Sequence, residues 1–113
     1  MYFNTNPQYA IIMNNNCKPS KVIRVCAEYY GVTIQQVLSK ERTRKNGIIP
    51  ARHMSILIMR QQLCMELKPI AKAIRRKDHS TISSALNTMK DLLDVYDDVR
   101  TDRSRILEKL KLQ

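Results

Sequence analysis

Arg75-Arg76-Lys77-Asp78-His79-Ser80-Thr81-Ile82 is the stretch on which the fold turns. Three cations come first, then four polar residues, and then a helical pattern begins. Apolar residues recur at Ile82, Ala85, Leu86, Met89, Leu92, Leu93 and Tyr96, the i, i+3, i+4, i+7 spacing of one helix face. Asp78 is a good N-cap, because its carboxylate accepts from unpaired amides and sits at the positive end of the helix dipole. His79, Ser80 and Thr81 then fall in the exposed first turn. Helix-turn-helix proteins carry their base-reading side chains there.

Upstream, Leu67 to Ile74 reads as a short helix with Ile70, Ala71, Ala73 and Ile74 inward and Pro69 in its first turn. A tight turn at Arg75-Arg76-Lys77 joins it to the longer helix. Short helix, tight turn, longer helix is the helix-turn-helix layout. A further helix is expected from Pro50 or Ala51 to about Glu66, with Met54, Ile56, Leu57, Ile58, Leu63 and Met65 covering most of its circumference. A helix apolar on so many sides belongs at the centre. Arg52 and Arg60 lie two turns apart on it and are candidates for one phosphate backbone.

Before it runs Ser39-Lys40-Glu41-Arg42-Thr43-Arg44-Lys45-Asn46-Gly47, a basic stretch closing on an Asn-Gly turn signal. An arginine arm of this kind enters a minor groove, where potential is most negative, or else stays solvated and touches phosphates only. The residues leave both readings open. Ser20 to Tyr30 forms the first helix, with Gly31 as terminator, and Thr33-x-x-Gln36 spells a capping box for a second. A last helix spans about Val99 to Leu110, capped by Asp97 or Asp98. Residues 1–17 are set apart as an Asn-rich arm around Tyr9-Ala10-Ile11-Ile12-Met13, and residues 18–113 as one domain. The fold class is all-α, a compact bundle of about six helices containing a helix-turn-helix.

Charge narrows the partner. The net +10 is concentrated: residues 40–77 hold 11 basic and 2 acidic residues, whereas residues 78–113 hold 6 and 7. A positive field so placed implies a polyanion, double-stranded DNA before an anionic membrane. No apolar run can cross a bilayer, and no secretory leader is visible at the N-terminus. Cys17, Cys26 and Cys64 form no CxxC, so neither disulfides nor zinc is expected, and reduced thiols fit a cytoplasmic, nucleoid-associated protein. No enzyme is expected, because Asp78, His79 and Ser80 are consecutive and point about 100° apart on a helix. No cofactor or metal is expected, and without a heptad seam the expectation is a monomer.

Residues 22–95 resemble the DNA-box-binding C-terminal domain of the bacterial replication initiator DnaA. The resemblance rests on three pieces. The first is Ala27-Glu28-Tyr29-Tyr30 with Leu38-Ser39-Lys40-Glu41-Arg42-Thr43-Arg44. The second is Ala51-Arg52-His53-Met54. The third is Lys77-Asp78-His79-Ser80-Thr81-Ile82 followed by Ala85. It implies base reading by Asp78, His79, Ser80 and Thr81 in the major groove and by Arg42 in the minor groove. It places Arg52, Arg60 and Leu67 near the backbone or bases; the remaining candidates for phosphate contact, Arg44, Lys45, Lys68, Arg75, Arg76 and Lys77, are read from their charge and position in this chain. The implied function is sequence-specific binding of a DnaA-box-like site, in replication initiation or transcription.

The chain departs from the family pattern in places. Arg75-Arg76 stand where the family turn usually has two glycines, Ala51 and His53 where it has Pro and Gln. The loop before the central helix is two residues longer. The family's ATPase domain would need a G-x-x-x-x-G-K-[S/T] loop, and neither Gly31 nor Gly47 begins one. The expectation is therefore a chain that does not bind ATP in that way, either an excised domain or a stand-alone protein, the opening Met and the Asn-rich arm favouring the second. The alternative is a protein-interaction or RNA-binding module that kept the fold, with the arm as its docking segment.

Overall fold

The computed structural model describes residues 17–39 and 47–112, which form six helices and no strand. The Tyr9–Met13 patch and Arg42, Arg44 and Lys45 lie outside the described residues.

Helix α1 (Pro19–Tyr30) starts with proline at its first position, where a missing amide matters least. It ends on Gly31 at φ 73°, with the amides of Gly31 and Val32 donating back to Glu28 and Ala27. This is a Schellman closure, in which a left-handed residue lets two amides reach the last free carbonyls. Helix α2 (Ile34–Leu38) opens with both halves of the capping box: Gln36 N–H donates to Thr33 Oγ1 at 3.0 Å, and Thr33 N–H to Gln36 Oε1 at 2.9 Å.

Helix α3 (Ile48–Gln61) begins two residues before the expected Pro50 and stops five residues before the expected Glu66. Gly47, at φ 91°, swings the chain directly into the helix and leaves Pro50 in the first turn. At the other end Cys64 adopts φ 55°, and Met65 N–H donates to Met59 O at 3.2 Å, which reverses the chain. Leu63 and Met65 pack on the core from outside the helix. Apolar spacing continues through that reversal, so periodicity alone overran it.

Central placement of α3 holds. Ala51, Met54, Ile56, Leu57, Ile58 and Met59 are all buried. The helix packs against α1, α2, α4 (Leu67–Ile74) and α5 (His79–Val95). Ser55 sits among these apolar residues because its hydroxyl donates to Ala51 O at 2.7 Å, as buried polar groups require.

Helix α5 buries Ile82, Ala85 and Met89, with Leu86, Leu92 and Leu93 partly covered. Tyr96, expected on the same face, is 54% exposed, because the helix ends at Val95 and the backbone there becomes extended. Helix α6 (Asp97–Leu112) is longer than expected at both ends, and Asp97 and Asp98 lie inside its first turn rather than capping it. Ile106, Leu107 and Leu110 enter the core. The hydroxyls of Tyr29 and Tyr30 donate to the two oxygens of Asp102, at 2.7 and 3.3 Å, tying α1 to α6. Burial, with the Asp102 carboxylate beside them, pushes both phenols up.

No helix of the described residues is long and apolar enough to cross a membrane.

Candidate nucleic-acid interface

Helix α4 ends as α1 does, but on a different residue. Arg75 takes the left-handed conformation, φ 63° and ψ 45°, while its amide donates to Lys72 O at 3.1 Å and that of Arg76 to Ala71 O at 2.8 Å. A side chain there costs about 1–2 kcal/mol relative to the right-handed region. The turn therefore keeps the geometry a glycine would give and adds a guanidinium to it.

Two residues later Asp78 caps α5. Its Oδ1 accepts from Ser80 N–H at 2.9 Å, and its carbonyl from Thr81 N–H at 3.3 Å. The Ser80 amide, more than any other group, holds the Asp78 carboxyl below its usual range. The Ser80 hydroxyl adds to this effect, and the carboxylate stays at the exposed surface. His79, Ser80 and Thr81 are exposed on the first turn, beside exposed Arg75 and Lys77.

A cleft of about 430 Å³ opens beside this tip. Ile56, Ile74 and Ala85 contribute apolar surface to it, and Arg75, Arg76, Lys77, Asp78 and Thr81 its polar edge. His53 also lines it, a residue that the sequence offered only as a substitution beside Arg52. Burial first, and then the charge of Arg52, lower its pKa.

The expected backbone contacts divide. Arg75 and Lys77 are exposed cations beside the tip, Lys68 is exposed in the first turn of α4, and Leu67 is half-buried at its start. Arg60 is exposed, but its guanidinium donates to Met65 O at 2.9 Å and lies 3.9 Å from Glu66. Arg76 is half-buried and turned inward. Arg52 is turned into the fold, reaching only the wall of the cleft beside the tip. It is 7% exposed and donates to Val37 O at 2.7 Å, Ser39 O at 3.0 Å and Gln36 O at 3.1 Å. Helical spacing put it two turns from Arg60, but it could not show that the C-terminal carbonyls of α2 would claim its guanidinium.

A second basic groove, lined by Lys18, Ser20, Lys21, Arg24 and Ile34, also went unread. The i, i+3, i+6 spacing of its three cations was the available signal. Among the described residues no cluster of His, Cys, Asp or Glu can hold a metal ion.

The family model described as the bacterial dnaA protein helix-turn-helix matches residues 19–89. Among curated proteins, the chromosomal replication initiator protein DnaA 1 of Chlamydia trachomatis is 33% identical over 92 residues, covering 81% of this chain and 19% of that protein. The chromosomal replication initiator protein DnaA of Streptococcus mutans is 31% identical over 84 residues, covering 74% of this chain and 18% of its own length. The chain thus spans about a fifth of the length of these relatives.

Proposed function

Because the chain belongs to the bacterial DnaA helix-turn-helix family, we propose that it binds double-stranded DNA sequence-specifically, at a site like the DnaA box. Its role is in replication initiation or the control of initiation or transcription. The observation that carries this reading is the tip of α5: His79, Ser80 and Thr81 exposed on a capped first turn, flanked by the cations of Arg75 and Lys77.

The chemistry suits base edges. The exposed Asp78 carboxylate accepts from cytosine N4, and hydroxyls serve several edges. The Thr81 methyl and the His79 ring meet a thymine methyl. Arg42, with Arg44 and Lys45, supplies the minor-groove and phosphate side of this reading. Lys68, Arg75 and Lys77 neutralise phosphates around the major groove. Arg60 joins them only by trading its Met65 carbonyl for a phosphate.

Fluorescence anisotropy against a DnaA-box duplex, a scrambled box and random DNA, each at two salt concentrations, tests this. The expected result is a preference for the box of about tenfold or more, with an affinity falling steeply with salt. Equal affinity for all three duplexes removes the box from the proposal. No binding at moderate salt removes DNA, and favours the protein partner for which the N-terminal arm was the candidate surface.

A further inference from the structure

Helix α2 has five residues, too few for its last carbonyls to be used internally. Side chains from two other elements take them. Arg52 of α3 holds Gln36 O, Val37 O and Ser39 O. Arg76, from the turn between α4 and α5, donates to Ser39 O at 2.8 Å and lies 3.5 Å from Leu38 O. Its other contact, with Ile74 O at 3.4 Å, fastens the same guanidinium to the end of α4. Two guanidinium groups thus converge on one oxygen. They are held there by the partial negative charge that collects at the carbonyl end of a helix.

The position of that oxygen matters. Ser39 immediately precedes the basic run from Lys40 to Lys45, and Arg76 is two residues from Asp78. Arg76 therefore connects the root of the basic segment to the root of the reading helix through one planar group. The far end of the segment is fixed as well: Gly47 lies so close to α1 that a Cβ there would meet Tyr30 O at 2.6 Å.

We propose that Arg76 is a positioning residue rather than a phosphate ligand. It sets where the basic segment leaves the domain relative to Asp78–Thr81, and so sets the register between minor-groove and major-groove reading. This rests on the DNA-binding reading above. Lysine cannot replace it, because an ammonium lacks the planar fork that spans Ser39 O and Ile74 O together.

The test uses the full chain and compares Arg76→Lys with Lys109→Arg, a charge-conserving change at an exposed residue of α6. Two quantities are read. One is hydrogen exchange of peptides covering Ile34 to Ser39, and the other is the ratio of affinities for the box and scrambled duplexes across salt. Arg76→Lys is expected to speed exchange in that peptide by about tenfold. It should cut the affinity ratio at least about threefold while leaving the salt slope unchanged. Lys109→Arg should leave the exchange and the ratio as they were.

A ratio preserved in Arg76→Lys overturns the positioning role and leaves the DNA reading standing, as does an equal loss of affinity for both duplexes. A protein with no preference before any substitution overturns the DNA reading itself, and the positioning role with it. Should Arg76→Lys fail to fold, Arg76→Gln, which keeps a planar amide donor, is read by the same criteria.

Discussion

The Nε–H of Arg52 donates to the carbonyl oxygen of Val37 at 2.7 Å, across fifteen residues of sequence. Its Nη2 reaches Gln36 O and Ser39 O, so this one side chain holds three carbonyls at the end of α2. Charge-assisted bonds of this kind, shielded from water, contribute more than neutral ones. Arg52→Ala leaves those carbonyls without this donor, and is expected to lower the unfolding free energy by about 2–3 kcal/mol in urea titrations. Arg52→Lys should recover part of that loss. An Arg52→Ala protein with an unchanged urea midpoint and weakened DNA binding would restore the phosphate role that the sequence first assigned to it.

Arg75 sets up the opposite case, a residue whose replacement should help. It occupies the left-handed position that Gly31 occupies at the end of α1. Glycine reaches that conformation without the Cβ clash but loses more backbone freedom on folding. The balance favours Arg75→Gly by about 0.5–1 kcal/mol in thermal or urea unfolding. Gly31→Ala should destabilise by at least that much. Gly47→Ala should do so by more, since its Cβ would also strike Tyr30 O. A destabilised Arg75→Gly protein would mean that the arginine side chain holds the turn by contacts that outweigh its backbone strain.

These two arginines also show what could be read in advance. The helix-turn-helix was legible because it is written locally: Asp78 as cap, Ile82, Ala85 and Met89 as one face, Ile70 and Ile74 as another. The Thr33–Gln36 box was legible for the same reason. What depended on distant partners was not. Arg52 and Arg76 look like any surface cations until α2 brings its carbonyls to them. The end of α3 was missed because Cys64 reverses the chain with a residue that carries no turn signal, and Tyr96 fell outside the core because its helix stopped one residue short.

His53 gives the fold a pH dependence whose sign follows from its surroundings. Burial and the nearby Arg52 lower its pKa below the ordinary 6.5. The unfolded chain therefore binds a proton at a higher pH than the folded one. As pH falls from 6.5 toward that lower value, the unfolded state gains protons first and stability declines. Urea unfolding at pH 7.5 and pH 5.5 should show this loss at the acid end. His53→Gln, which cannot titrate, should reduce the difference between the two pH values. The Asp78 carboxyl acts in a lower window, below its ordinary 3.8, where protonation weakens the cap of α5. An identical pH difference in the His53→Gln protein would exclude the histidine as its source.

The exposed tip and the exposed cations around it make separable predictions on DNA. His79 and Thr81 are exposed on the capped turn, so alanine there should change reading far more than stability. Each of His79→Ala and Thr81→Ala is expected to reduce the preference for the box by about 1–3 kcal/mol per lost base contact. Lys77→Ala should instead weaken every duplex alike and make the slope of log K against log salt shallower by about 0.9, the signature of one phosphate. Competition titrations on box and scrambled duplexes at several salt concentrations separate the two patterns. If His79→Ala and Thr81→Ala lowered affinity equally on every sequence, the tip would be a phosphate contact, and base reading would have to come from elsewhere in the domain.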